Sequence, residues 1–471
     1  MRAVRASSAV GAAFCLWGLA IGLLALHDNS FLTELATGRL IVHSGIPHAD
    51  PYSFTAHGHP WTLQSWLASA LYGALDRLWD GHGLVAFHAV LTTALAYGVW
   101  RLTAPALSLA GRIIAAVVPL AVGTGYWASR PLLIALVAFA VVVFVVESGR
   151  APLWVLAPVM WIWVNVHGSW PFAVAYLVLR LAGRALDRRP LDRLPRQLGA
   201  VAVGIVLGAA NPFGFGLLAY PLAVVTHHQA FSHIVEWQSP SFSDLTNLVF
   251  LFEAVLALGL LVLRKGRVED ALVVLAFLVA ACVASRNVPV AALVTVPVLA
   301  RGLQGLGTID GAARSPTALA GVALLVVLGA LVAGKELRRP AYDLTAYPVR
   351  EVSAMVHQGL APGRVATQDF VGNYLEYRFG ARASTFIDDR VDMFPASVES
   401  AYGVLLGGAP NWQAVLDRYR VDTVLWAANQ PLASLVEQSP GWRVVLHDRK
   451  WVVAVRVGPL AAGTTMAGSA G

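Results

Sequence analysis

Over the first 334 residues, acids, imidazoles and guanidinium groups are few and lie mostly in short segments between long apolar runs. The first segment holds Asp28, Glu34, His43, His48, Asp50, His57 and His59. Later ones hold Arg130, then Asn165 with His167, then Asn211, then His227, His228, His233 and Glu236, and finally Arg286 with Asn287. That mixture suits one kind of chemistry: a carboxylate takes the proton of a hydroxyl, while cations stand where negative charge develops on a departing phosphate. The four histidines of the first segment match no paired-ligand spacing, and no cysteine accompanies them, so no metal site is read there. Cys15 and Cys282 lie inside apolar runs and offer neither a disulfide framework nor a thiolate site.

Each candidate also has an ordinary explanation. Asp28 precedes a helical pattern from Phe31 to Val42, where an acid favours the helix dipole. Asp50 before Pro51 is a turn signal. Arg130 and Arg286 could anchor span ends at an interface, although outward-facing Arg opposes the prevailing charge bias. His167 at the mouth of two tightly joined spans could meet a headgroup or satisfy a span-terminal carbonyl. Glu236, between Val235 and Trp237, suits an amphipathic loop lying on a membrane, or a second acid acting on an acceptor. Glu253 stands alone in an apolar run, and packing inside a helical bundle accounts for it.

The elements that must position these residues follow from composition. With 57% hydrophobic and 13% charged residues in 471, the chain is too apolar for one soluble core. Apolar runs of helix-spanning length occur at 9–26, 83–100, 113–129, 131–147, 151–166, 169–186, 198–215, 246–263, 268–285, 288–305 and 316–334, giving about eleven crossings. Period-two alternation is absent, which excludes spanning strands. The first run follows Arg2 and Arg5 with no small-residue cleavage pattern before His27, so it reads as an uncleaved span. Between Trp61 and Trp79, Leu63, Trp66, Leu67, Ala70, Ala74 and Leu78 share one helical face interrupted by Gln64, Asp76 and Arg77, which predicts a helix in the interface plane.

Charge bias orients the spans. Alternate loops and adjoining span ends carry Arg101, Arg112, Arg150, Arg180, Arg184, Arg188, Arg189, Arg193, Arg196, Arg264, Lys265, Arg267, Arg301 and Arg314, against Arg39, Arg77, Arg130 and Arg286 on the other side. Lys and Arg near span ends are retained in the cytoplasm, which sets the N-terminus inside and the C-terminal region outside. The net charge of +7 is therefore topological, and a nucleic-acid partner is not indicated. From Lys335 onward charges return and the pattern becomes α/β: strands at 364–367, 384–387, 421–426, 442–447 and 451–457, helices near 349–358, 397–406, 412–419 and 431–438, and a Gly/Ala/Ser/Thr-rich disordered tail over 459–471. Asp388, Asp389 and Arg390 follow one of these strands, a common ligand edge in α/β sheets, with a structural Asp–Arg pair as the alternative.

The strings His27-Asp28-Asn29-Ser30-Phe31, Leu35-Ala36-Thr37-Gly38-Arg39, Asp50-Pro51-Tyr52-Ser53-Phe54, Pro60-Trp61 and Ser65-Trp66-Leu67 resemble the first outer loop of GT-C-type bacterial membrane glycosyltransferase-like proteins, relatives of protein O-mannosyltransferases and aminoarabinose transferases. The resemblance continues through Asn165-Val166-His167-Gly168-Ser169, Asn211-Pro212-Phe213-Gly214, Glu236-Trp237-Gln238-Ser239-Pro240, Arg286-Asn287-Val288-Pro289, Gly372-Asn373-Tyr374-Leu375 and Phe386-Ile387-Asp388-Asp389-Arg390, covering nearly the whole chain. It implies a GT-C-like polytopic α-helical membrane domain over 1–334 with a first outer loop at 27–82, and an extracytoplasmic α/β domain over 335–458. It also implies transfer of a sugar from a polyprenyl-phosphate donor to a glycan, lipid or protein acceptor in the cell envelope, among the lipids of a bacterial cytoplasmic membrane.

On that resemblance Asp28 takes the place of the catalytic acid, with Asp50 and Glu34 as further carboxylates. Arg130, His167, Arg286, Glu236 and Asn211 line the lipid-phosphate or substrate site, and Asp388, Asp389 and Arg390 belong to the outer domain. Ser30 and Glu34 depart from a second acid and a histidine in related sequences. The departure removes one candidate metal-ligand pair, so no cofactor is required; a divalent ion shared by Asp28, Asp50 and lipid phosphate is left open. A single carboxylate suffices for metal-independent inverting transfer. A noncatalytic scaffold is the alternative, and a transporter, which would need ionisable groups at the midplane, rests on Glu253 alone.

Overall fold

A computed structural model describes residues 4–226, 235–304, 306 and 314–458. His227, His228, His233 and the tail from 459 lie outside the described residues. The described chain is mostly helical, with a small C-terminal sheet. Four helices are long and apolar enough to cross a membrane: Trp66–Ala106, Pro131–Ser148, Leu245–Leu263 and Thr317–Glu336. Shorter apolar helices accompany them, and each of the eleven apolar runs contains a helix.

The chain divides into two compact units, residues 1–28 with 64–343 and residues 29–63 with 344–471. The first helix, α1 (Ala6–Gly22), lies in the first unit, and α2 (Asn29–Ser44) lies in the second. The first unit continues with α3 (Trp66–Leu102), α4 (Leu109–Thr124), α5 (Pro131–Ser148), α6 (Leu156–Val166), α7 (Pro171–Leu186), α8 (Leu194–Gly208), α9 (Gly216–Thr226), α10 (Leu245–Leu263), α11 (Val268–Val283), α12 (Val288–Gly302) and α13 (Pro316–Glu336). The interfacial helix expected before Trp79 and the span expected at 83–100 are one element, α3, interrupted where Trp79 and Asp80 leave helical geometry. Trp79 is 67% exposed and Asp80 has φ 50°, so the break is a turn in the backbone with the apolar ring outside.

α12 is the axis of this unit. Every residue from Val288 to Ala300 is buried, as expected of a helix that is apolar all round and packed on every side. It packs on α4, α10 and α11, and α11 packs on α7. Glu253 of α10 is buried there and accepts from Thr295 Oγ1 of α12, which agrees with its reading as a packed residue of the bundle. Phe139, Tyr176 and Phe277 form an aromatic cluster joining α5, α7 and α11, with Phe139 and Phe277 stacked at 5.8 Å and Phe139 edge-on to Tyr176 at 5.9 Å. A Cβ on Gly183 would lie 2.1 Å from Glu269 Cα, so α7 and α11 meet backbone to backbone where only glycine fits.

The second unit joins α2 and the segment through Leu63 to the C-terminal region. Residues 29–63, expected in the outer loop of the membrane domain, pack into the C-terminal core. Leu32 is buried among Val352, Met355, Val371, Leu375 and Val453, and Phe54 N donates to Thr385 O at 3.0 Å. Further helices are α14 (Val349–His357), α15 (Asp369–Phe379), α16 (Ala396–Gly407), α17 (Trp412–Arg418) and α18 (Pro431–Gln438). Strands β1 (Val365–Ala366), β2 (Thr423–Ala427), β3 (Trp442–His447) and β4 (Trp451–Arg456) form one sheet in the order β1-β2-β4-β3. β1 is parallel to β2, and the other pairings are antiparallel, with β3 and β4 forming the expected hairpin.

Two local readings differ from the structure. The strand expected at 384–387 is reduced to bridges from Thr385 to Ser53 and Val365. α15 has no counterpart among the expected helices, because its run DFVGNYLEYRF mixes β-branched, aromatic and Gly residues that favour helix weakly. Packing supplies what propensity lacks. α15 lies against α2, and a Cβ on Gly372 would sit 2.1 Å from Ile387 O, so the helix approaches the 386–388 backbone as closely as a glycine allows.

Candidate functional site

Five of the sequence-derived candidates converge in the first unit. Asp28 follows the turn after α1, Arg130 caps α5 ahead of Pro131, and His167 ends α6 in extended backbone. Glu236 lies in the short turn Val235–Trp237, and Arg286 in the turn Ser285–Asn287 that leads into α12. Arg130 Nε donates to Asp28 Oδ2 at 2.5 Å, and its Nη1 donates to Glu236 Oε1. Asp28 is 7% exposed and Glu236 44%, so the triad runs from a buried acid to a half-open one. Burial works against the Arg130 charge, but the two carboxylates outweigh it and hold the guanidinium well above its usual range.

The two turns are bound to each other. Ser285 N donates to Gln238 O at 2.9 Å and Ser285 Oγ to Glu236 O at 3.2 Å, which sets Arg286 beside Trp237. The Arg286 guanidinium lies over the Trp237 ring at 4.3 Å, and its Nη2 is 3.4 Å from His167 Nε2. Among the described residues no carboxylate comes within ion-pairing distance of Arg286. Burial pushes its pKa down, with Glu236 and Tyr220 opposing. Burial, with Arg286 and then Arg130 adding to it, pushes His167 down to about 3, so its imidazole is neutral at physiological pH.

Around these groups the backbone is fixed by neutral side chains. Gln64 Oε1 accepts from Gly168 N at 2.9 Å, and Trp66 Nε1 donates to Asn165 Oδ1 at 2.9 Å. Asn165 Nδ2 donates in turn to Trp161 O at 2.8 Å. Asn211 does not join the cluster. Its amide donates to Gly208 O and Gly214 O and its carbonyl accepts from Phe213 N, so its polar atoms hold its own turn.

Asp50, Asp388 and Arg390 come together in the second unit. Arg390 Nη2 donates to Asp50 Oδ1 at 2.8 Å and to Asp388 Oδ2 at 2.6 Å, with Glu376 Oε1 at 3.6 Å. The guanidinium also meets the Tyr52 and Trp61 rings at 5.0 and 4.4 Å. Asp50 accepts from the backbone of Tyr52 and Ser53, as its turn signal predicts. Burial raises Glu376, and the neighbouring Asp388 charge adds to that; Asp388 itself is held low by Arg390 against burial. Arg390 and Asp388 are nearly sealed from solvent, so the geometry is that of an internal lock between residues 50–61 and 376–390. Asp389 is half-buried and its N–H donates to Asn373 Oδ1 at 3.2 Å. Glu34 lies partly buried on α2.

A second charge cluster lies outside the sequence-derived candidates. Arg180 pairs with Asp270 at 2.6 Å and Glu147 at 2.9 Å, Arg301 with Glu147 and Asp270 at 2.6 Å each, and Arg184 and Arg189 with Glu269 at 2.8 and 2.5 Å. Apart from Arg189, which lies just past α7, these residues occupy the ends of α5, α7, α11 and α12 opposite to Arg130, His167 and Arg286, about 27 Å away along an 18-residue helix. Assigning the arginines to topology alone passes over their acidic partners; Glu147, Glu269 and Asp270 at span ends are the available signal. No group of three metal-ligating side chains occurs among the described residues. No family model and no curated protein sequence matches the chain.

Proposed function

We propose that this chain is a GT-C-like membrane glycosyltransferase, embedded with about eleven crossings, that moves a sugar from a polyprenyl-phosphate donor to an acceptor outside a bacterial cytoplasmic membrane. The observation that carries the reading is Arg286: a partly buried cation without a carboxylate partner in ion-pairing distance among the described residues, lying over Trp237 and beside a neutral imidazole. A cation drawn partly out of water with no carboxylate at hand is suited to receive an anion from outside, and a phosphate supplies one. The ion network at the far ends of the same helices agrees with the sidedness, since Arg180, Arg184, Arg189 and Arg301 are all residues that charge bias assigns to the cytoplasm.

In this reading the acceptor hydroxyl attacks the anomeric carbon as Asp28 takes its proton, and the carbon–oxygen bond to phosphate breaks with its electrons on the phosphate. Arg286 and Arg130 receive that charge. Asp28 Oδ2 accepts from Arg130 Nε, so donor binding has a second effect: drawing Arg130 toward phosphate frees that oxygen to accept from the acceptor hydroxyl. The competing reading, a noncatalytic scaffold, is favoured by the fact that Arg130 is already neutralised by two acids.

Transfer of radiolabelled sugar from polyprenyl-phosphate donors in membranes, compared between wild type and Asp28→Asn at matched expression, separates the two. Loss of product with donor binding retained supports Asp28 as base. Equal transfer by both removes Asp28 from the mechanism, and absence of transfer by either from every donor supports the scaffold.

A further inference from the structure

His167 has one nitrogen whose role is fixed by its neighbours. Ser169 N lies 3.1 Å from Nδ1, and a backbone N–H can only donate, so Nδ1 accepts. Ser169 Oγ, which accepts from Trp163 Nε1 at 3.1 Å, is 2.8 Å from the same nitrogen, and with Nδ1 already accepting from Ser169 N its hydroxyl can only turn its proton toward that lone pair. A neutral imidazole with Nδ1 accepting carries its proton on Nε2. That proton faces Arg286 Nη2, 3.4 Å away, which is a donor with no accepting capacity. Two donors thus meet head to head, and His167 is only 8% exposed. Among the described residues nothing accepts from Nε2.

We propose that His167 and Arg286 form a two-donor clamp for a single anionic oxygen, with the Ser169 backbone fixing the imidazole tautomer that the clamp needs. This deepens the phosphate-site reading and rests on it. The ligand chemistry is a phosphoester oxygen that accepts from Nε2–H and Nη2–H together while Trp237 flanks the guanidinium. His167 is then a binding residue that donates and never acts as a base, and Ser169 is a positioning residue.

The test uses purified full-length protein in detergent with geranyl phosphate as probe. His167→Gln places an amide NH2 near the Nε2 position and is expected to keep affinity within about threefold; His167→Asn places it near Nδ1 and is expected to weaken binding by roughly ten- to a hundredfold, the worth of a hydrogen bond to a charged group. Equal loss in both, or a tighter Asn than Gln variant, overturns the clamp. Geraniol and inorganic phosphate distinguish the source: geraniol binding as well as the phosphoester overturns the anion role, inorganic phosphate binding equally well assigns a free-phosphate site, and preference for geranyl phosphate supports the lipid. The 15N spectrum of histidine-labelled wild type, assigned by the signal missing from His167→Gln, reads the tautomer without any ligand. A proton on Nδ1 there overturns the inference even if phosphate binds; a proton on Nε2 with no geranyl phosphate binding keeps the tautomer and refutes the phosphate reading.

Discussion

Among single residues, the site divides into groups that are paired and groups that wait. Arg130 has two carboxylates, whereas Arg286 has an aromatic face and an imidazole. Arg286→Gln should therefore cost more in geranyl phosphate affinity than Arg130→Gln. The expected loss is at least roughly tenfold for Arg286, the scale of a charge-assisted hydrogen bond, as measured by calorimetry of the purified variants. A larger effect at Arg130 would shift the anion site away from α12. His167 also makes a pH prediction. Its folded pKa of about 3 lies below the ordinary imidazole value near 6.5, so the unfolded chain takes up a proton that the folded chain refuses. Stability from this group is complete above about pH 6.5 and declines as pH falls toward the folded value. His167→Gln should flatten the fall of the melting temperature between about pH 7 and pH 5, and an unchanged slope would mean the imidazole titrates normally.

Elements are held by a few close approaches and charge networks, and their tolerance follows from that. Gly372→Val would force side-chain atoms into the Ile387 carbonyl, and overpacking of this kind costs about 1–3 kcal/mol or more. Limited proteolysis should show cleavage within 369–390 in the variant at protease levels the wild type resists. The ion network linking α5, α7, α11 and α12 behaves differently, because removing one partner strands a buried charge at a cost of about 3–5 kcal/mol. Glu147→Gln should lower the melting temperature in detergent, and the further change Arg301→Gln should restore part of it. Strict additivity of the two losses would argue that they do not share one network.

For the whole molecule, the proposed function makes a statement about sides. Charge bias assigns the 187–193 loop to the cytoplasm and the C-terminal region to the opposite compartment. The exposed positions Asp192 and Asn411 report on the two. Asp192→Cys and Asn411→Cys, each in a background lacking Cys15 and Cys282, should differ in intact cells: an impermeant maleimide labels the second and not the first. Labelling of both, or of the first alone, would overturn that orientation.

Where helices form in the first unit is already encoded locally, because runs of apolar residues bounded by Arg, Pro and Gly leave few alternatives, and each of the eleven runs contains a helix. The same holds for the β3–β4 hairpin and for β2, whose β-branched and aromatic residues fit a half-buried pleat. Asp28, Arg130, His167, Glu236 and Arg286 are likewise legible as polar candidates, and the structure brings them together in the first unit. Three-dimensional packing settles the rest. That Asp50 serves Arg390, and not the acid of its own segment, depends on a contact spanning 340 positions, which local pattern does not encode. α15 forms because α2 and the 386–388 backbone complete it, against weak propensity. The acids at 147, 269 and 270 acquire meaning only when four helix ends meet, since a buried ion pair is defined by geometry and burial, and a sequence supplies only its charges.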